Sequence, residues 1–233
     1  MGAKNVVPTS YYKLKKDEKQ GSPSFGKLMF YPQLKIDGKW GDGKPVNCLE
    51  GYLKSVKITE YPWQDKKIEN LNFELIDNDN LDAAIMFQTG LRTIVGQNIL
   101  NTLAGERSLG VLTFTCGNPR VVNDKSFPTL YVNNNGNKTS WLYCKNNNNL
   151  SDIPRITVEG TGDDKVVHGQ KELDNFWKGV LETHILHKMY VPPDIQDDSF
   201  NNVQGGSDTD YEPQDINAEL NGNTSGPADD LPF

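Results

Sequence analysis

Apolar and polar residues alternate along the middle of the chain with the period of two that is typical of β-strands. The alternation is clearest where Leu71, Phe73 and Leu75 are separated by polar residues. Gly51 marks a position at which a long, curved strand bends or bulges. On this basis we predict strands over residues 46–61, 68–76, 83–88 and 111–122, and a fifth strand or hairpin between 130 and 145 with a turn at 133–137.

In two places the apolar residues recur in steps of three and four, which predicts helices. One helix covers 91–103 and ends near Gly105, and the other covers 171–189. Three strands, a helix and two further strands is the element order of an OB-fold, a small Greek-key barrel of five strands. We therefore expect a mainly β protein with an OB-fold-like five-stranded barrel and one inter-strand helix. The extra C-terminal helix either packs on the barrel or forms a dimer contact.

The start of the chain carries several lysines and few aliphatic residues. Residues 1–23 are therefore predicted to form a flexible basic arm of the core. After them, an apolar stretch at 28–36 is followed by the pairs Asp37-Gly38 and Asp42-Gly43. Such pairs favour tight hairpin turns because glycine accepts positive φ angles. A hairpin is expected here.

The acidic residues are unevenly distributed. Residues 192–233 contain ten carboxylates and no Lys or Arg, so this segment has a charge of −10. The other 21 acidic residues face 24 basic residues in 1–191, which leaves that part at +3. We predict a weakly basic core at 1–191 and a disordered acidic tail at 192–233. A tail that only increases solubility is the alternative.

The sequence disfavours both a membrane protein and a protein stabilised by disulfide bonds. No apolar run reaches the roughly 18 to 20 residues needed to cross a membrane, and the first residues lack the apolar part of a signal peptide. The sequence therefore predicts a protein that works inside a cell. Cys48, Cys116 and Cys144 show no C-x-x-C spacing, so neither a disulfide framework nor a zinc ribbon is predicted.

Two patterns resemble nucleotide or metal sites. Residues 38–44 have the spacing of a phosphate-binding P-loop, but Pro45 stands where a Ser or Thr must bind Mg²⁺. The acidic turn at 77–82 does not fit an EF-hand, because Leu81 takes the place of an oxygen ligand. We predict no catalytic residue, no metal site and no cofactor, and we expect the protein not to be an enzyme.

Lysines and aromatic residues are interleaved in the core. Single-stranded nucleic acid is bound by cations that follow the phosphates and by aromatic faces on which unpaired bases stack. The first and last hairpins of an OB-fold flank its binding face, so two of the clusters are expected to converge there. The predicted DNA-binding residues are Lys54, Lys57, Tyr61, Trp63, Lys66 and Lys67 at the first hairpin, Lys138, Trp141, Tyr143 and Lys145 at the last, Lys35, Lys39, Trp40 and Lys44 near the Asp-Gly pairs, and Arg120 beside a turn. Trp141 and Tyr143 share strand parity, which is equally compatible with a place in the core.

The chain ends with Asp229-Asp230-Leu231-Pro232-Phe233, an acidic pair followed by an aliphatic residue, Pro and Phe. This end resembles the terminal motif of bacterial single-stranded-DNA-binding proteins, whose tails dock on replication, recombination and repair proteins. The resemblance implies that Phe233 enters an apolar pocket of a partner while Asp229 and Asp230 meet a basic rim. The core lacks the familiar bacterial sequence, so a divergent bacteriophage protein in the bacterial cytoplasm fits these features.

The sequence thus favours sequence-independent binding of single-stranded DNA combined with recruitment of partner proteins. A tail of 42 flexible residues would reach roughly 35 Å from the core. Its negative charge also predicts that it competes with DNA for the basic groove. The alternative is a replication or recombination adaptor that uses the tail and binds little DNA itself.

Overall fold

Strands and helices are defined for most of residues 9–190. The computed structural model describes residues 9–36, 38–63, 66–77, 79–122, 125–160 and 166–190, with only the backbone at Ile36, Trp63, Lys66, Val122 and Lys125. The strands are β1 (Thr9–Lys16), β2 (Leu28–Ile36), β3 (Lys39–Asp42), β4 (Cys48–Trp63), β5 (Lys66–Asp77), β6 (Ala84–Gly90), β7 (Val111–Cys116), β8 (Arg120–Val122), β9 (Lys125–Phe127), β10 (Leu130–Asn134), β11 (Asn137–Lys138), β12 (Thr157–Glu159) and β13 (Val166–His168). The helices are α1 (Ile94–Gly105) and α2 (Gln170–Val180), and α2 continues as a π-helical turn, Leu181–Ile185, and a 3₁₀ turn, Leu186–Lys188. The chain is mainly β, as predicted.

Nine of these strands form one sheet in the order β11-β10-β7-β4-β5-β6-β1-β2-β3. Neighbouring strands are antiparallel except β1 and β6, which run parallel. The long strand β4 has two partners, because its first residues pair with β7 and the rest pair with β5. The remaining strands form two separate ribbons, β8–β9 and β12–β13.

Local sequence patterns predicted several elements correctly. Leu71, Phe73 and Leu75 on β5 are completely buried, so the alternation marks the face that packs into the core. The hairpin between β2 and β3 turns at Gly38, whose φ of 79° is the positive value expected of an Asp-Gly turn; Asp37 itself lies outside the described residues. Strands β4, β5 and β6 are followed by α1 and β7 in the predicted order.

The predicted flexible arm is wrong for the part of it that the structure describes after residue 8. Thr9–Lys16 forms β1, which lies inside the sheet between β6 and β2. Tyr12 and Leu14 are half-buried, while the residues beside them are exposed. A strand with few aliphatic residues is therefore stabilised by its two neighbours.

The predicted five-stranded barrel is not confirmed. The fifth predicted element is a hairpin of β10 and β11 that turns at Asn135 and Gly136, within the predicted 133–137. Its strand β10 pairs with β7 towards one edge of the sheet, and residues 141–145 are not a strand. A single bridge joins Phe30 on β2 to Val46, just before β4, with both N–O distances at 2.9 Å. This bridge brings β2 back towards β4, yet no ladder between strands of the described residues closes the sheet.

The sheet is strongly curved around an aromatic core. A flat sheet would separate β6 from β7 by three strand spacings, roughly 14 Å. The rings of Phe87 on β6 and Phe114 on β7 are only 5.0 Å apart. Phe30 and Phe73 contact Phe87 at 5.5 and 4.7 Å, so rings from four strands meet on the concave side. The opposite, convex side is left for solvent or for a ligand.

Helix α1 is buried along almost its whole length. The Thr93 hydroxyl caps it by accepting a hydrogen bond from the Gly96 amide at 3.0 Å. Gly96 itself lies so close to the Gly90 carbonyl that an added Cβ would be 2.3 Å from that oxygen. At the centre of the helix, Asn101 bonds both backbone groups of Tyr143, with distances of 3.0 and 2.8 Å. These contacts fix the segment after β11 against α1.

Helix α2 and the turn after it pack on this core, as one of the two sequence alternatives predicted. Leu173, Trp177, Val180 and Leu181 recur at helical spacing and are all buried. Their recurrence is the amphipathic pattern seen in the sequence. The C-terminal helix therefore completes the described core.

These elements belong to one compact unit that ends at Tyr190, and residues 191–233 lie outside the described residues. No described helix is long and apolar enough to cross a membrane. Cys48, Cys116 and Cys144 are free thiols, and burial raises the pKa of Cys116 to about 12.

Candidate nucleic-acid interface

Five strands place one residue each in a line across the convex side of the sheet. Strand register pairs Lys57 with Asn72, Asn72 with Gln88, Gln88 with Lys13, and Lys13 with Tyr31. Successive side chains of a strand point to opposite faces, and the neighbours of Asn72 point into the core, so this line faces outwards. We name these five residues the central row. It spans four strand spacings, roughly 19 Å.

Exposed aromatic side chains flank the central row on the same face. Tyr11 precedes Lys13 by two residues and is 48% exposed, and Tyr61 follows Lys57 by four residues and is 56% exposed. Beyond β2, Trp40 on β3 lies opposite Lys35 and is 65% exposed. Large rings that keep about half or more of their surface in water contribute little to folding. They leave flat faces open for stacking.

The Tyr31 end of the row is held by a polar network. The Lys15 ammonium lies 4.5 Å from the centre of the Tyr31 ring and also forms an ion pair with Asp42. Gln33 donates a second hydrogen bond to Asp42 at 2.8 Å. Hydrogen bonding from Lys15 and Gln33 lowers the pKa of Asp42. Burial, followed by the nearby Asp17, raises the pKa of Tyr31, so its hydroxyl stays protonated.

A buried carboxylate shapes the loop that joins β1 to β2. Asp17 is 3% exposed and accepts hydrogen bonds from the hydroxyls of Ser24 and Ser22 and from the backbone amide of Lys19. These bonds hold the pKa of Asp17 far below its usual range, and Tyr31 also contributes a hydrogen bond. The Asp17 carboxylate therefore accepts its hydrogen bonds from fixed protein groups and not from water. It connects the loop to the central row through Tyr31.

Two of the predicted DNA-binding lysines already have carboxylate partners. Lys54 lies in a bulge between Leu53 and Ser55, and its ammonium contacts Glu74 at 2.8 Å. The strand pairs regularly at Gly51, so the bulge falls later than predicted. Lys67 is paired with Glu60 at 2.7 Å and has the face parity of the buried side of β5.

The other predicted residues of the first hairpin are distinguished by the face of the sheet on which they lie. Lys57 and Tyr61 share the outer face, and Lys57 forms no ion pair with any described residue. Trp63 lies opposite Lys66 at the end of the β4–β5 ribbon; their side chains lie outside what the structure describes. The structure therefore supports part of this cluster as a continuous surface.

The last cluster lies away from the central row. Tyr143 packs edge-on against Phe176 at 5.0 Å, and burial raises its pKa. Its contacts with α2 give it a packing role. Trp141 is half-buried in the segment after β11, whereas Lys138 on β11 and Lys145 in a 3₁₀ turn are exposed.

The other predicted residues lie at the β3 edge of the main sheet, on the β8–β9 ribbon and in residues 229–233. Lys39 and Trp40 lie on β3 and are exposed, as are Lys35 and Lys44. Arg120 begins β8, opposite Phe127, on a ribbon outside the main sheet. The predicted partner-binding residues Asp229, Asp230, Leu231, Pro232 and Phe233 lie outside the described residues.

Several outer-face residues were missed by sequence reasoning. Tyr11, Lys13 and Tyr31 were assigned to an arm or to an apolar stretch, and Asn72 and Gln88 were taken only as the polar half of strands. One signal was available, because Tyr11 and Lys13 alternate with the half-buried Tyr12 and Leu14. Strand order, which the pattern does not contain, is needed to align the five positions.

The charges of the outer face are not balanced. Asp42 and Glu74 are its carboxylates near the row, and each already has a lysine partner. Lys13, Lys35 and Lys57 remain exposed without an ion pair to any residue that the structure describes. The surface therefore presents unpaired cations, exposed rings and side-chain amides together. Among the described residues, no group of three or more His, Cys, Asp or Glu side chains could hold a metal ion.

Comparison with protein-family models, curated proteins and solved structures finds no match to this chain. What the site does must therefore be inferred from its own residues. Its distinctive combination is a row of polar and cationic groups that is flanked by exposed aromatic rings.

Proposed function

We propose that the protein binds single-stranded DNA without sequence preference on the outer face of its sheet, and recruits replication, recombination or repair proteins through residues 229–233. The observation that carries the DNA-binding part is the central row. Its unpaired lysines, together with Tyr11, Tyr61 and Trp40, combine phosphate and base contacts on one surface.

The chemistry of the face favours a single strand over a duplex. Bases in a duplex are stacked on each other and present only their edges, whereas unpaired bases offer a face to each aromatic ring. Lysines supply charge without requiring a particular base. The Asn72 amide nitrogen donates to the Thr59 hydroxyl at 2.7 Å, so its side-chain carbonyl and the Gln88 amide are the groups that can bond base edges of several kinds. The surface therefore fits a flexible, sequence-independent ligand.

The arrangement of strands is consistent with this use. Strands β4, β5 and β6, α1 and the return of β7 to β4 follow the order of an OB-fold unit, although the sheet remains open. In OB-folds the second and third strands carry much of the nucleic-acid face. The central row crosses β5 and β6, which are the second and third strands of this unit. We propose an OB-like core on this basis.

The proposed role of the tail rests on its end. The sequence Asp229-Asp230-Leu231-Pro232-Phe233 resembles the partner-binding tip of bacterial single-stranded-DNA-binding proteins. An acidic pair beside an apolar C-terminal residue suits a basic rim around an apolar pocket. DNA binding and partner binding would then use separate parts of the chain.

The test is a salt titration of oligo-dT binding to the full chain, followed by tryptophan fluorescence, with a duplex of equal length for comparison. The variant Lys13→Gln/Lys57→Gln removes two unpaired cations of the row. It should lower the slope of log affinity against log salt by about 1.4, since each single-strand phosphate contact accounts for about 0.7. The matched control is Arg107→Gln/Arg155→Gln, which removes two exposed charges from loops.

Single-strand binding that the row variant weakens and the control does not would support the proposal. Equal salt slopes for wild type and the row variant would show that the DNA contacts lie elsewhere on the protein. No binding by wild type even at low salt would leave the adaptor role as the better explanation.

A further inference from the structure

A charged cleft lies on the other side of the β4–β5 ribbon from Tyr61. Glu60, Lys67 and Glu69 of the ribbon form one wall, His168 at the end of β13 and the first residues of α2 form another, and Arg92 lies between them. The cleft is open to solvent. No role was predicted for Arg92 from the sequence.

The guanidinium of Arg92 is held in one orientation by a buried carboxylate. Its Nε lies 3.1 and 3.2 Å from the two oxygens of Asp174, and its Nη2 lies 2.7 Å from Oδ2. Asp174 is 5% exposed and is itself fixed by a hydrogen bond from Gln170 at 2.8 Å. The Arg92 side chain, in contrast, is 51% exposed. The buried Asp174 carboxylate thus fixes the orientation of a guanidinium whose other side faces solvent.

The open edge of Arg92 has donors to spare. A guanidinium carries five N–H groups, and the Asp174 contacts use one on Nε and one on Nη2. The two on Nη1 and the second on Nη2 have no acceptor among the described residues. Three donors in a planar fork match the oxygens of a phosphate group.

Neighbouring carboxylates do not saturate this edge. Glu60 is paired with Lys67 at 2.7 Å, and Glu69 forms an ion pair with Lys178. The exposed pair Lys171 and Glu172 adds one charge of each sign. Because these neighbouring charges pair with one another, the Arg92 guanidinium is the group in the cleft that is oriented to bind an anion.

The cleft begins where the outer face ends. Arg92 follows Gly90, the last residue of β6, by two positions, and the Leu91 amide bonds the Glu69 carbonyl at 2.9 Å. Gly90 lies opposite Asn70, two residues along the strands from the Asn72–Gln88 pair of the central row. A strand crossing the row can therefore continue past the end of β6 to Arg92.

We propose that Arg92 binds a phosphodiester group of the single strand as it leaves the outer face, which extends the interface around the end of β6 into the cleft. This inference rests on the proposed DNA binding. It predicts a contact that only longer strands reach, because a short strand is accommodated by the central row and its flanking rings.

The test compares wild type, Arg92→Lys and the control Arg107→Lys with a series of oligo-dT lengths. Lysine keeps a positive charge beside Asp174 but lacks the fork. We expect Arg92→Lys to bind the shortest oligomers as wild type does, and to lose about tenfold in affinity for long ones, with the control unchanged. A general weakening at every length would indicate a structural effect and overturn the proposal, as would equal affinity at every length.

A second variant keeps the test decisive if Arg92→Lys unfolds. Arg92→Gln/Asp174→Asn removes the buried charge together with its partner, so no carboxylate is left uncompensated. It should lower the salt slope for long oligomers by about 0.7. An unchanged slope in a folded double variant would overturn the proposal.

A titration with inorganic phosphate tests the other source of a phosphate group. If phosphate shifts the NMR signal of Arg92 Nε while DNA affinity shows no dependence on length, the cleft binds free phosphate and the proposal is overturned. Failure of wild type to bind any oligomer would instead overturn the proposed function, and this inference with it.

Discussion

Tyr61 provides a sharp test of base stacking on the outer face. More than half of its surface is exposed, and it lies on the ribbon formed by β4 and β5 opposite Ile68. Removing an exposed ring from a surface position should change folding stability by less than about 0.5 kcal/mol. If a base stacks on it, Tyr61→Ala loses part of the roughly 1–3 kcal/mol that one base contributes. About 1.4 kcal/mol, or a tenfold increase in Kd, is expected.

The measurement is the fluorescence anisotropy of labelled oligo-dT at 0.1 M salt, with thermal unfolding of each variant as a check on folding. Tyr61→Phe should bind as wild type does, because it keeps the ring and loses only the hydroxyl. Tyr131 is the matched control, since it is 53% exposed but lies on β10, outside the central row and its flanking rings. Equal losses for Tyr61→Ala and Tyr131→Ala, or none for either, would refute stacking at this site.

Three further predictions concern the core, the β1–β2 loop and the tail. Asn101→Ala should lower the free energy of unfolding in urea by about 2–4 kcal/mol, because it leaves two backbone groups of Tyr143 without partners; a loss below 0.5 kcal/mol would contradict this. The folded pKa of Asp17 lies far below its ordinary value of 3.8, so its contribution to stability is fully present above pH 3.8 and is lost as the pH falls from there through the folded pKa. Asp17→Asn should therefore flatten the acid limb of a plot of urea midpoint against pH, and an unchanged limb would exclude this role. A chain ending at Val191 should bind oligo-dT more tightly than the full chain at low salt, and equal affinity would rule out competition by the acidic tail.

Elements with strong local patterns were predictable from the sequence. The β5 alternation and the α2 periodicity each reflect one face that is buried against the core, and that face is visible in the spacing of Leu71, Phe73 and Leu75 or of Leu173 and Trp177. Both signals follow from backbone geometry alone. Their positions were correct to within a few residues.

Strand β1 was not predictable in the same way. It buries part of Tyr12 and Leu14 but no long aliphatic run, so its composition resembles a basic arm. Its stability comes from pairing with β2 on one side and with β6, distant in sequence, on the other. Non-local pairing of this kind leaves no mark in the spacing of residues. Missing β1 also removed Lys13 from the predicted site.

The roles of individual lysines were also beyond the sequence. Lys54 and Lys57 are three residues apart and looked equivalent, yet a bulge turns Lys54 towards Glu74 while Lys57 stays unpaired. Tyr143 matched the pattern of an exposed stacking residue, but the Asn101 contacts direct its backbone to α1 and its ring to Phe176. Register and side-chain pairing decide these cases.

Ion pairing divides the cations of this surface into two groups with different consequences. A lysine already paired with a carboxylate must give up that partner to bind a phosphate, so it adds little to affinity. Lys13, Lys35 and Lys57 have no such cost, and Arg92 keeps three donors free while its other side is fixed by Asp174. At about 0.7 per contact, the three lysines alone correspond to a salt slope near 2, and Arg92 raises it towards 3. In the proposed complex with single-stranded DNA, affinity beyond this modest electrostatic part would have to come from stacking, so the proposal depends on the exposed rings of Tyr11, Tyr61 and Trp40 as much as on the charges.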